Sequence, residues 1–120
     1  MYNVIKIGDT DVPMLAMASC DVYYRNIFHE DPIKVQAGKN PGEGDLINLF
    51  LRMGFVMAKF AELKDRKEMN KLTEDMYLDW LDQFDHYAYI DALADIRATY
   101  EGQAVAVSEA KKKDGKQNDR

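Results

Sequence analysis

The chain of 120 residues contains one cysteine, Cys20, which excludes an intrachain disulfide and any multi-cysteine zinc site; a reducing cytoplasm is expected. Long apolar runs are also missing. The longest, "LINLFLRMGFVMAKF", is broken by Arg52 and Lys59, so no membrane span is expected. The N-terminus has no basic region ahead of an apolar stretch, so secretion is not expected either. No Gly-rich phosphate loop, nucleophile elbow or paired-histidine motif occurs, and neither a catalytic group nor a cofactor or metal is anticipated. From Lys71 to Arg97 there is no intervening lysine or arginine, while Glu74, Asp75, Asp79, Asp82, Asp85, Asp91 and Asp95 all fall there.

That gap decides how the net charge of -5 is distributed. Residues 103–120 hold five basic and three acidic groups, so the body carries 11 basic against 18 acidic, a net of -7. Such a surface repels a phosphate backbone, and nucleic-acid binding is not expected. With 47% hydrophobic and 31% charged residues, the composition is that of a globular protein and not of a disordered one. A chain of this size buries roughly two-thirds of its unfolded surface, which is enough for one core.

The patterning predicts an α+β, mainly α fold: an N-terminal β-hairpin, a bundle of about four helices and a disordered C-terminal tail. The domain is expected over 1–102, with the hairpin at 2–17. β-branched residues flank the turn formers "GDTD". Pro13 cannot donate to a ladder, so its strand is expected to lie at an edge or to begin there. A first helix is expected over about 19–30, capped by Ser19, with Cys20, Tyr23, Tyr24, Ile27 and Phe28 on one face and a stop before Pro32. "QAGKNPGEG" reads as a loop.

Asp45 is placed to cap a central helix over about 46–69. Its apolar positions cover most of its circumference; at about 100° per residue, Asn48, Arg52, Lys59 and Glu62 form a narrow polar strip. Phe55 projects from that strip and Leu51 lies at its margin. Thr73 caps a helix over about 74–84, with Tyr77, Trp80, Leu81 and Phe84 inward and Asp75, Asp79 and Asp82 outward. Asp85 is a cap for a last helix over about 86–101, closed by Gly102. Residues 103–120 read as a flexible charged tail.

His29, beside Glu30 and Asp31, has no partner at metal-site spacing and reads as a loop histidine. Asp82 and His86, four residues apart, are compatible with a weak metal site, with a surface pair or with a cap. Cys20 reads as a small buried hydrophobe. Leu51, Phe55, Asp79 and Asp82 are the candidate partner-binding residues. The acidic row is either a solvated face or a docking surface. Phe55 either tucks under the hairpin or the tail or anchors another chain. The methionines, Met53, Met57, Met69 and Met76 among them, suit core filling or an adaptable surface.

The turn in "VIKIGDTDVPM", then "YRNIFHEDPI", "VMAKFAE" and "YLDWLDQFD" together resemble the small tail assembly chaperones of long-tailed bacteriophages and prophages, over roughly residues 1–100. His29 stands where that family often has glycine. The resemblance implies a non-enzymatic chaperone in the host cytoplasm, absent from the mature virion. It would bind the helical, aggregation-prone tape measure protein, keep it soluble and help recruit tail tube subunits, with self-association possible. It also implies a longer form made by frameshifting near "KKK" at 111–113. The other expectation open at this point is a small acidic regulator or inhibitor of a basic host or phage protein.

Overall fold

A computed structural model describes residues 1–37, 42–85 and 87–102. His86 and the tail at 103–120, with the expectations attached to them, lie outside the described residues, as does the centre of the loop at 36–44.

The chain begins with an antiparallel hairpin, β1 (Tyr2–Ile7) and β2 (Thr10–Leu15), in which Ile7 faces Thr10 and Tyr2 faces Leu15. Gly8 has φ 62 as the first residue of the two-residue turn, a conformation that glycine takes without strain. Alternation then sorts the side chains: Ile5, Ile7, Val12 and Met14 are buried, whereas Tyr2, Val4 and Lys6 face out. Pro13, opposite Val4, lies in a strand whose sole described neighbour is β1.

Six helical segments follow among the described residues: α1 (Cys20–Phe28), α2 (Pro32–Ala37), α3 (Glu43–Leu63), α4 (Arg66–Met69), α5 (Glu74–Leu81) and α6 (Ala88–Glu101). Two were not expected. Proline ends one helix but is also well suited to the first position of the next, and Pro32 does both. Asp31 Oδ1 accepts the Ile33 N–H at 3.0 Å and so starts α2. The central helix stops at Leu63, not near Met69, because Lys64 turns left-handed (φ 51) and Asp65 caps α4, accepting from the Lys67 and Glu68 N–H groups. Its start lies earlier than Asp45, which as the third residue of α3 accepts the Gly42 N–H at 3.3 Å. Ser19 makes no side-chain cap bond, whereas Thr73 Oγ1 accepts the Met76 N–H at 3.3 Å. Gly102 (φ 69) closes α6.

α3 is the axis of the fold. Leu49, Phe50, Leu51, Met53, Phe55, Val56, Met57 and Ala58 are all buried on it, since the hairpin, α1, α5 and α6 pack around its sides. Gly54 lets α6 come close: a Cβ there would meet Ile96 Cδ1 at 3.2 Å and Met14 Cε at 3.6 Å. Polar bonds fix the far end of α6. Asn3 Nδ2 donates to Thr99 Oγ1 at 3.0 Å, Tyr100 Oη donates to Asp21 Oδ1 at 2.8 Å, and Gln36 Nε2 donates to Tyr100 Oη at 3.3 Å.

Candidate functional site: a slot beside an acidic helix

The expected anchor on the α3 strip is corrected by the packing. Phe55 is 0% exposed and Leu51 5%, so neither offers surface to another chain. A helical wheel sees one helix, but here α5 lies over the strip. The Phe55 ring meets Tyr77 at 5.6 Å and Trp80 at 5.8 Å between centroids, in tilted and edge arrangements that aromatic pairs favour. Phe55 is thus covered by α5. Arg52, one turn earlier, lays its guanidinium over Phe28 at 5.0 Å and pairs with Glu30 at 3.3 Å. Its place on the strip serves the contact with α1.

Asp79 and Asp82 are exposed as expected. With Asp75 they recur at i, i+4 and i+7 along the outward side of α5, and none of the three has an ion-pair partner among the described residues. Met76 stands beside them, 44% exposed, one turn before Trp80. Met53, Met57 and Met69 are core residues.

The surface has a recess where sequence reasoning placed none. β2 and α5 flank the C-terminal half of α3 and leave a slot of about 310 Å³. Ala58 and Ala61 form its floor, Val12 and Pro13 one wall, and Trp80 and Phe84 the other. Lys59 and Glu62, paired at 3.5 Å, lie at its rim with Asp11 and Gln83. The slot exists because alanine is too short to fill the space between a strand and a helix that stand apart. The two alanines three positions apart in the C-terminal half of α3 were the available signal. That signal says nothing by itself about what lies on either side.

The remaining candidates are structural. His29 adopts φ 55, ψ 39 at the end of α1, and its N–H donates to the Arg25 carbonyl at 2.9 Å. The backbone therefore makes the left-handed turn that glycine would make, despite the side chain. Burial pushes the Cys20 thiol pKa up, with a smaller upward contribution from Asp21, and its Sγ lies 3.5 Å from the Leu15 carbonyl; it is a protonated core group. Burial likewise raises the Tyr77 phenol to about 12. No group of three or more metal-ligating side chains occurs among the described residues, and no described helix is long and apolar enough to cross a membrane.

Comparison with protein-family models, curated proteins and solved structures finds no match to this chain.

Proposed function

We propose that the protein is a tail assembly chaperone of a long-tailed bacteriophage or prophage, acting by surface contact in the host cytoplasm. The observation that carries this reading is the slot floored by Ala58 and Ala61, with Trp80 and Phe84 on one side and a polar rim, next to carboxylates that have no ion pair among the described residues. Such a site can cover a sticky helix face, while a net negative charge keeps copies of the chaperone apart. The sequence resemblance supplies the client: the tape measure protein, held soluble while tail tube subunits are recruited. Asp79 and Asp82 speed the encounter with that client and select against wrong partners.

Co-expression with a tape measure protein tests this. Its soluble yield rises when the chaperone is present; an unchanged yield would contradict the reading.

The exposed acidic row also suits an inhibitor that captures a basic protein. Ionic strength separates the two. A charge-only complex weakens steeply as salt rises, whereas a complex built on the slot keeps most of its affinity.

A further inference from the structure

We propose that the slot between β2 and α5 docks a single amphipathic helix of the partner, with its apolar ridge on Ala58 and Ala61 and lysine or arginine along the flank that faces α5. This rests on the chaperone reading and adds the chemistry of the segment recognised.

The floor favours a helix. Two short side chains, one turn apart on α3, leave a groove into which a ridge of leucine-sized residues can fit, in the manner of ridges packing into grooves between helices. Half-buried Phe84 and the edge of Trp80 supply an apolar wall, and Met76, one turn before Trp80 and 44% exposed, adds apolar surface on the same helix outside the slot. The opposite wall disfavours a strand. An added strand needs donors along β2, and Pro13 removes one from the middle of that edge. A helix satisfies its own backbone and makes no such demand.

Charge fixes the flank. Asp75, Asp79 and Asp82 run parallel to the apolar wall without a cation among the described residues. At the rim, Lys59 is held by Glu62 at 3.5 Å, and Asp11 by Lys6 outside the slot at 3.7 Å, so these rim charges are already matched. The uncompensated charge beside the slot is therefore negative, with three of its carboxylates in a row on the α5 side. A helix with an acidic flank there is repelled, and one with a basic flank is drawn in and oriented.

Trp80, the only tryptophan of the chain, lines the slot and reports on its occupation. The full chain is titrated with a tryptophan-free peptide carrying leucine at i, i+3, i+4 and i+7 and lysine elsewhere. Its glutamate counterpart and a lysine peptide of scrambled order serve as comparisons. The lysine helix shifts Trp80 emission saturably, and the other two bind at least about tenfold more weakly. Ala61→Phe, which fills the floor, raises Kd about tenfold, and the exposed pair Asp79→Lys with Asp82→Lys raises it several-fold, with native circular dichroism in each. Equal binding of the scrambled peptide, an unaltered Kd in both variants, or binding that leaves Trp80 emission unchanged would overturn the proposal. If Ala61→Phe still raises the soluble yield of a tape measure protein, the slot falls and the chaperone reading stands. If the peptides behave as expected and wild type gives no such rise, the slot stands and the chaperone reading falls.

Discussion

α1 and α5 both pack on α3, yet they are fastened differently. α1 is tied by contact and by polar links: Tyr24 Oη donates to Glu30 Oε1 at 2.7 Å, Arg52 reaches the same carboxylate at 3.3 Å, and Arg25 pairs with Asp31 at 3.7 Å. α5 has the aromatic contacts of Tyr77 and Trp80, with edge and tilted contacts to Phe28, Phe55 and Phe84, while its outward carboxylates repel one another. One helix is joined to α3 by a directional bond from Arg52 to a carboxylate just past its end. The other is held by non-directional burial and keeps its charge for solvent or a partner.

Removing the ring beneath α5 has the largest effect. Phe55→Ala lowers unfolding stability by about 3–5 kcal/mol, as deletion of a fully buried aromatic does, and denaturant titration measures it. A loss under about 1 kcal/mol would mean that α5 does not depend on that ring.

Alkaline pH loosens both regions through buried phenols. Burial raises the pKa of Tyr24, Tyr77 and Tyr100; the Glu30 carboxylate adds to the first and Asp21 to the last, and Tyr77 and Tyr100 reach about 12. Above the unfolded value of about 10 the unfolded chain has released protons that the native one retains, so stability falls as pH rises. It is complete below about pH 10 and declines toward pH 12, by at most about 1.4 kcal/mol per pH unit for each phenol. A flat thermal midpoint between pH 9 and 11 would contradict the burial of these groups.

Tyr24→Phe sharpens the comparison at the α1 side. It removes the donor to Glu30 and lowers stability by about 1 kcal/mol, without altering peptide binding in the slot. The smallest effect has the opposite sign. His29→Gly relieves the left-handed backbone at the end of α1, partly offset by the greater freedom of the unfolded chain, and raises stability by about 0.5–1 kcal/mol.

The sequence made local features legible. The "GDTD" turn, the edge position of Pro13, the Thr73 cap and the Gly102 stop each follow from the conformational needs of one or two residues. Pro32 was harder because a proline that ends one helix can begin another, and the Lys64–Asp65 break was hidden inside an apolar pattern that continues to Met69. The slot was least accessible, since it belongs to no element. It is the space left where β2, α3 and α5 meet, and Phe55 lies buried for the same reason: its cover comes from a helix some 20 residues away in the chain. Asp79 and Asp82, whose exposure depends on α5 alone, were readable.

Hydrogen exchange of the full chain, free and in complex with a tape measure protein, tests the central claim most directly. Amides of β2, the C-terminal half of α3 and α5 should slow on complex formation while those of α1 stay as they were. Protection that falls on α1 and spares α5, or no change anywhere in a complex that demonstrably forms, would contradict it.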